Sequence, residues 1–269
     1  MRRGIDEKNR VALERLHREV AGPFDMATAA RVLRMRPDKT RNFLRHLAAR
    51  GWLSRIRRGI YTTVPLGASE PSDWREDPWR VAFAVFAPCY IGGWSACEHW
   101  ELTEQVFRGV VVVTGRPIRA TESEVQGTAF RLKHMPEELH FGTRAVWRDG
   151  VKIKVSDPAR TIVDILDDPR LGGGIRHVAS VVREYLVSTH RNENQIVEYG
   201  NRLGNRTVFK RLGHIIEALG LEAPKLANAC RERVSKGLSA LDPSVKSKGR
   251  VLKRWGLRVN VELHREEPS

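Results

Sequence analysis

The segment 34–64 restricts the possible folds of this chain most strongly, because it joins an amphipathic helix to a basic hairpin. Four residues at helical spacing form an apolar stripe: Thr40, Phe43, Leu44 and Leu47. The opposite side of the helix carries polar and cationic side chains: Arg36, Lys39, Arg41, Asn42 and Arg45. A stripe with a period of 3.6 residues predicts that one side packs on a core. The cationic side then faces solvent or a polyanion.

A hairpin is predicted directly after this helix. Gly51 ends the helix, and the run WLSRIRRGIY then alternates apolar and basic residues up to a Gly turn. The predicted hairpin carries Arg55, Arg57 and Arg58. Because neighbouring residues of a strand point to opposite faces, Arg57 and Arg58 cannot both face the same way. A basic helix for the major groove and a basic hairpin for phosphate are the DNA-contacting parts of a winged helix-turn-helix. The alternative is a solvated surface helix rich in Lys and Arg.

The residues before this segment complete the same pattern. Charged and apolar residues over 6–20 predict a first helix, and Gly22-Pro23 ends it. Asp25 is placed to cap a short second helix. A turn over 35–38 follows, with Pro37 near the start of the third helix. Residues 1–66 are therefore predicted to form a whole winged helix-turn-helix domain.

Composition divides the remaining chain. The run Pro65–Trp74 is rich in Pro, Gly and Ser, as linkers are. We expect a central α+β unit over 75–155 and a mainly helical, basic region over 156–269, the two packed together as one domain. The predicted central elements are a helix at 78–86 and strands at 106–114, 128–133, 144–147 and 151–155. The predicted later elements are helices at 158–167, 175–187, 192–203, 205–219 and 224–235, and a last strand at 257–263. The fold class is α+β.

Charge is concentrated at the two ends of the chain. Residues 1–64 contain 16 Lys and Arg against 6 Asp and Glu, and residues 206–258 contain 13 against 4. The segment 65–205 between them is nearly neutral, with 17 against 19. Two basic segments predict a polyanion that is contacted twice. The second would comprise Lys210, Arg211, Lys246, Lys248, Arg250, Lys253 and Arg254, although a merely solvated basic face explains it equally well.

The sequence indicates no enzyme, membrane span or disulfide framework. Cys89, Cys97 and His99 lack a second ligand pair, so buried thiols are expected rather than zinc. A magnesium nuclease would need carboxylates such as Asp157, Asp164, Asp167 and Asp168, but helix capping and a surface position explain all four. No catalytic residue, metal or cofactor is predicted. We expect the chain to stay in the cytoplasm, since no apolar run reaches membrane-spanning length and no secretory segment follows Met1.

A chain of short motifs resembles a known family. In order along the chain these are Arg-x-x-x-Gly-x-Tyr at 55–61, Pro-x-Tyr-Ile-x-x-x-Ser-Ala at 88–96, Leu-Thr-Glu-Gln at 102–105, Ser-Asp-Pro-x-Arg-Thr-x-x-Asp at 156–164, Gly-Gly-Ile at 173–175 and Lys-Arg-Leu-Gly-His at 210–214. Together they resemble the AbiE-type (AbiEi) antitoxins, the transcriptional regulators of type IV toxin–antitoxin systems. Trp94 and Cys97, and the long basic C-terminal segment, depart from the family pattern.

This resemblance implies a function. Family members bind inverted repeats upstream of their own operon and repress it, and they counteract a nucleotidyltransferase-like toxin without a stable complex. The resemblance also implies that the C-terminal domain carries the antitoxin activity. We expect a monomer in solution that binds each half-site, with cooperativity possible on DNA, because no dimerisation helix is visible.

Within this interpretation the residues take distinct roles. Arg36, Lys39 and Arg41 are expected to read bases or to line the groove, since arginine bound to guanine is the commonest base contact. Asn42 and Arg45 are expected on phosphate. The hairpin arginines are expected to contact phosphate or the minor groove. Two other functions stay open: a DNA nuclease that a winged helix delivers, and a non-specific nucleic-acid-binding module.

Overall fold

The computed structural model describes residues 6–65, 73–246 and 248–264. Within these residues the α-helices are α1 Glu7–Glu19, α2 Met26–Leu33, α3 Pro37–Ala49, α4 Pro78–Phe86, α5 Gly93–His99, α6 Pro158–Asp167, α7 Ile175–Val187, α8 Glu193–Leu203, α9 Thr207–Leu219 and α10 Pro224–Glu232. The strands are β1 Phe24–Asp25, β2 Leu53–Arg57, β3 Ile60–Thr63, β4 Cys89–Ile91, β5 Val110–Thr114, β6 Glu122–Val125, β7 Thr128–His134, β8 Thr143–Arg148, β9 Val151–Ser156, β10 Ser239–Ala240, β11 Arg250–Leu252 and β12 Leu257–Val259. The molecule is therefore a mixed α+β protein, as predicted.

The N-terminal unit consists of α1 to α3 and a small antiparallel sheet. The strand order is β1-β3-β2, so the short strand before α2 pairs with the second strand of the hairpin. The core contains Leu16, Ala29, Leu44 and Leu47, all with no exposed surface, from the three helices. Asp25 caps α2 by accepting a hydrogen bond from the amide of Thr28, as predicted. This unit buries one side of each helix and leaves the other side in solvent.

A six-stranded mixed sheet forms the centre of the molecule. Its order is β6-β7-β5-β4-β9-β8, with parallel pairing of β5 to β7 and of β4 to β9. In β5, Val110 and Val112 face the side covered by α4, while Val111 and Val113 pack in clusters on the other side. A strand buried on both faces has no polar positions. This explains the uninterrupted valine run.

The C-terminal helices share a core with the central part of the chain. Leu102 and Phe141 pack in the same hydrophobic cluster as α6 to α10 and β12. Every residue of α9 from Val208 to Ile216 is buried. Gly213 allows the Trp255 ring to lie directly against the helix, where a Cβ atom would clash with that ring. An element buried on every side cannot present a polar face to solvent.

Several predicted elements have different bounds. The strand predicted at 106–114 begins only at Val110, because Val106 is 87% exposed and Gly109 takes a positive φ of 104°. The polar edge strand β6 was not predicted. The strand predicted at 257–263 ends at Val259. Most of the predicted linker Pro65–Trp74, residues 66–72, lies outside the described residues.

Candidate nucleic-acid interface

A tight turn sets the start of α3. Arg34 adopts the left-handed conformation at φ 52° and ψ 43°, and its amide donates to carbonyls of the last turn of α2. The amide of Met35 donates to the carbonyl of Ala30 at 3.0 Å. Arg36 is extended at the N-cap, and Pro37 occupies the first turn, where its missing amide hydrogen costs nothing. The turn is thereby fixed by backbone bonds and by proline.

All five predicted residues of α3 and its N-cap are exposed: Arg36, Lys39, Arg41, Asn42 and Arg45. Thr40 is fully buried, and its hydroxyl donates to the carbonyl of Arg36 at 2.9 Å inside the first turn. Arg36 also lies 3.5 Å from the carboxylate of Asp38. Both side chains are largely exposed, so solvent screens this ion pair. The cationic side of the helix is therefore free to meet a ligand.

Helix geometry orders the exposed residues around α3. At about 100° per residue, Asn42 lies opposite the buried stripe of Thr40, Leu44 and Leu47. Lys39 and Arg45 lie about 60° to either side of Asn42, and Arg41 about 100° away from it, beside the buried stripe. Asn42 is therefore the most outward of the five residues.

The hairpin presents its three arginines to solvent. Arg55 and Arg57 lie on β2, and Arg58 occupies the turn with Gly59, which has a φ of 83°. A bulge lies between Arg55 and Arg57, so that Arg55 pairs with Tyr61 and Arg57 with Ile60. Because Arg58 lies in the turn rather than in the strand, strict alternation does not apply to it. Arg57 and Arg58 are both exposed.

The hairpin is also anchored to the central sheet. Ile56 belongs to the hydrophobic cluster of α4 and the central strands. The buried hydroxyl of Thr62 donates to Glu76 at 2.5 Å, and the Glu76 carboxylate pairs with Arg80 at 3.0 Å. The side-chain amide of Gln126, in the β6–β7 turn, donates to the hydroxyl of Ser54 at 2.9 Å. The position of the hairpin is therefore fixed from behind.

Sequence reasoning missed two basic residues beside this surface. Arg31 on α2 and Arg34 in the following turn are both exposed. They fall in the run RVLRMR immediately before α3, so the signal was present. The prediction considered only the helix and the hairpin.

Lys210 and Arg211 do not belong to a surface patch, and that prediction was wrong. Lys210 is 1% exposed and donates to the carbonyl of Gly237 at 2.8 Å. Arg211 is 4% exposed and donates to four main-chain carbonyl oxygens, at 2.7 to 3.0 Å: those of Leu166, Asp167, Ala240 and Leu241. Both cations sit on the fully buried stretch of α9. They tie the last turn of α6 and the segment 237–241 to that helix.

The remaining C-terminal candidates are on the surface: Lys246, Lys248, Arg250, Lys253 and Arg254 are exposed. Arg254 is paired with the carboxylate of Glu217 at 2.6 Å. That carboxylate also accepts hydrogen bonds from Arg231 and from the indole of Trp255. The charge of Arg254 is thus partly offset within the chain.

The four clustered aspartates are engaged by the chain itself. Asp157 caps α6 and accepts a hydrogen bond from Tyr199, as the capping prediction requires. Asp164 is not a surface residue, contrary to prediction. It is 1% exposed and its two oxygens accept from Arg160 at 2.8 Å and from Tyr90 at 2.9 Å. Burial raises the pKa of Asp164, and the charge of Arg160 opposes that rise.

Asp167 pairs with Lys133 and accepts from Asn205, while Asp168 pairs with Arg170. Within the described residues no group of three or more His, Cys, Asp or Glu side chains is arranged to hold a metal ion. Cys89, Cys97 and Cys230 are free and buried, as predicted for the first two. Burial raises the pKa of the Cys89 thiol to about 12. In the parts of the chain that are described, no helix is long and apolar enough to cross a membrane.

Comparison with known proteins identifies a shared fold. No protein-family model matches the chain, and no curated protein matches it. Among solved structures, the chain is similar to the RV2827C protein from Mycobacterium tuberculosis, with a TM-score of 0.64 at 12% sequence identity. The match covers 95% of this chain and 92% of that one. At this identity the similarity establishes the mixed α+β architecture alone.

Proposed function

We propose that this protein is a sequence-specific, double-stranded DNA-binding repressor of its own operon, and that residues 6–65 form a winged helix-turn-helix. The outward side of α3 carries this proposal. Its exposed polar and cationic residues follow a turn that backbone hydrogen bonds fix. The next element along the chain is a hairpin that exposes three arginines. A helix of this kind fits the major groove, and the hairpin reaches the flanking phosphates.

We base the proposed roles in this complex on the angular positions of the residues around α3. Asn42, at the crest of the helix, reads a base edge, since an asparagine amide pairs bidentately with adenine. Lys39 and Arg45 flank it and line the groove. Arg36 and Arg41 contact the backbone on the two sides. These roles differ from those that residue type alone suggested. Asn42 and Arg45 move from phosphate to the groove, and Arg36 and Arg41 move from the bases to the backbone. The reason is that the angular position of a residue decides which part of the DNA it can reach.

The antitoxin role rests on the resemblance to the AbiE-type antitoxins. Under this proposal the protein acts in the cytoplasm on inverted repeats upstream of its operon. A neighbouring gene encodes a nucleotidyltransferase-like toxin, which the C-terminal domain counteracts without a stable complex. Co-expression tests this role: the full-length protein should restore growth of cells that express the neighbouring gene. Growth arrest that persists in the presence of the folded protein would refute the antitoxin role.

Binding of the full-length protein to the DNA just upstream of its gene tests the DNA-binding proposal. The affinity for this duplex is compared with that for a shuffled duplex of equal composition across a salt series. We expect tighter binding to the upstream duplex at every salt concentration. Because phosphate contacts release counterions from any sequence, the two salt slopes should be similar.

The double variant Asn42→Ala/Arg45→Ala should lose this preference, while the matched variant Asn201→Ala/Arg202→Ala on exposed positions of α8 should keep it. Equal affinity of the wild-type protein for both duplexes would reduce the interaction to electrostatics and refute sequence-specific repression. Cleavage of the duplex with added magnesium would favour the nuclease alternative instead.

A further inference from the structure

A basic depression lies beside the hairpin and combines one hairpin arginine with residues that have no role so far. It has a volume of about 310 Å³ and is lined by three arginines from two separate parts of the chain. Arg57 comes from the end of β2, whereas Arg116 and Arg119 come from the loop between β5 and β6. All three are exposed. The lining also includes four apolar residues: Val85, Phe86, Ile118 and Leu132. We call Arg57, Arg116 and Arg119 the arginine cluster.

Hydrogen bonds to the end of β5 and to α4 fix the position of Arg116. Thr114, at the end of β5, is 1% exposed and donates to the carbonyl of Phe86 at 2.7 Å. The same hydroxyl accepts a hydrogen bond from the amide of Arg116 at 3.1 Å. The Arg116 guanidinium donates from one nitrogen to the carbonyl of Val85 at 3.4 Å. The loop is therefore tied to the end of α4, although Arg116 as a whole is exposed.

The acidic residue at this depression does not cancel its charge. Glu122 lines the depression, but its carboxylate accepts a hydrogen bond from Arg131 at 2.5 Å. Three arginines therefore line the depression, and the carboxylate of Glu122 beside them is already paired. Planar guanidinium groups match the paired oxygens of a phosphate, and several of them together favour an anion of that shape.

We propose that the arginine cluster binds one phosphodiester of the DNA backbone, immediately beyond the segment that the hairpin contacts. The central sheet thus takes a direct part in DNA binding, and the footprint extends past the N-terminal unit. The commitment to DNA follows from Arg57, which belongs both to the hairpin and to this depression. The inference rests on the DNA-binding part of the proposed function and extends it to residues outside the winged unit.

The test compares two charge-reduced variants of the full-length protein. Arg116→Gln/Arg119→Gln removes two members of the arginine cluster, and Arg206→Gln/Lys225→Gln removes two exposed charges from the C-terminal helices. We expect the cluster variant to bind the upstream duplex more weakly and to lower the slope of log affinity against log salt by about 1, as the loss of one phosphate contact predicts. The preference for the upstream sequence should be unchanged. The matched variant should retain the wild-type slope.

Neutral methylphosphonates then locate the contact. Phosphates are replaced one at a time. At one flanking position the replacement should weaken DNA binding by the wild-type protein and leave DNA binding by the cluster variant unaffected. A cluster variant that matches the control in slope and affinity, with a wild-type unfolding curve, would overturn the inference. Saturable binding of inorganic phosphate that requires Arg116 and Arg119 but leaves DNA affinity unchanged would also overturn it, since the site would then serve a small phosphorylated ligand.

These outcomes are separate from those of the proposed function. A phosphate contact does not depend on base sequence. If the wild-type protein shows no preference for the upstream duplex, sequence-specific repression fails. The slopes of the wild-type and cluster variants on a random duplex still decide whether the arginine cluster holds a phosphate.

Discussion

Two cationic residues show how charge alone can mislead at the scale of single residues. Lys210 and Arg211 read as part of a basic patch, yet both point into the core and donate to main-chain carbonyls. A guanidinium has five donors in a fixed plane, so one arginine can satisfy carbonyls from two segments at once. Without knowledge of the neighbouring segments, the sequence cannot distinguish such an internal clamp from a surface ligand-binding residue.

Substitution of Arg211 should therefore act on stability. Arg211→Met removes hydrogen bonds to four carbonyl oxygens in a nearly dry environment. We expect the free energy of unfolding to fall by roughly 3 kcal/mol. Lys253→Met, at an exposed position, should change it by less than about 0.5 kcal/mol. Urea unfolding followed by circular dichroism measures both values. Equal stability of the two variants would disprove the clamp.

Substitutions of Asn42 and Arg41 should have different effects on DNA binding. Asn42→Ala removes the proposed base contact, so it should cost about 1–3 kcal/mol on the upstream duplex and relax the preference at one base pair. Arg41→Ala should weaken binding to all duplexes alike and lower the salt slope by about 1. Affinities for a set of singly substituted duplexes provide the measurement. The opposite pattern, with Arg41 governing the preference, would restore the roles expected from residue type.

At the scale of elements, local signals were reliable where one residue imposes a conformation. Pro37 marks the start of α3, Asp25 caps α2, and Asp157 caps α6 with Pro158 in its first turn. Signals that depend on a neighbour failed. The polar strand β6 exists because it pairs with β7, and its own residues Glu122–Val125 show no strong strand preference. The anchoring of the hairpin to the central sheet could not be predicted from the sequence either, because it also depends on a neighbouring element.

The hairpin anchor predicts a coupled effect. Thr62→Val removes the hydroxyl that donates to the buried carboxylate of Glu76. We expect a loss of about 1–3 kcal/mol in the free energy of unfolding, because the buried carboxylate oxygen of Glu76 loses a donor that water cannot replace. The hairpin should also be less fixed, so affinity for the upstream duplex should fall. Thr63→Val, at the adjacent half-buried position, is the matched control. An unaltered affinity in a destabilised Thr62→Val protein would separate the anchor from DNA binding.

Three histidines at the scale of the whole molecule are at least half-buried: His99, His140 and His214. Burial lowers the pKa of His99, His140 and His214 below the ordinary value of about 6.5. The unfolded chain therefore takes up protons at a pH where the folded protein does not. The stability contributed by the neutral rings is complete above pH 6.5 and is lost as the pH falls through the lowered pKa values.

This effect is testable by unfolding at several pH values. The free energy of unfolding should decline as the pH falls below about 6.5, and His214→Gln should make that decline shallower. A free energy of unfolding that stays constant or increases over this range would contradict the assignment.

The distribution of charge along the chain was a good guide to one end of the molecule and a poor one to the other. The five basic and polar residues predicted for α3 and its N-cap, and the three predicted for the hairpin, are all exposed. At the C-terminal end, part of the charge is buried and part is paired with Glu217. Arg116 and Arg119 lie in a segment of nearly neutral composition. Only the packing of the hairpin against the central sheet brings them next to Arg57.

Repression of its own promoter is the central claim and can be measured directly. A reporter gene is placed behind the upstream region, and its output is compared with no protein, the wild-type protein, Asn42→Ala/Arg45→Ala and the α8 control Asn201→Ala/Arg202→Ala at equal protein levels. We predict strong repression by the wild-type and control proteins and release by the α3 variant. Unrepressed output with the folded wild-type protein, or equal repression by the α3 variant, would contradict the claim.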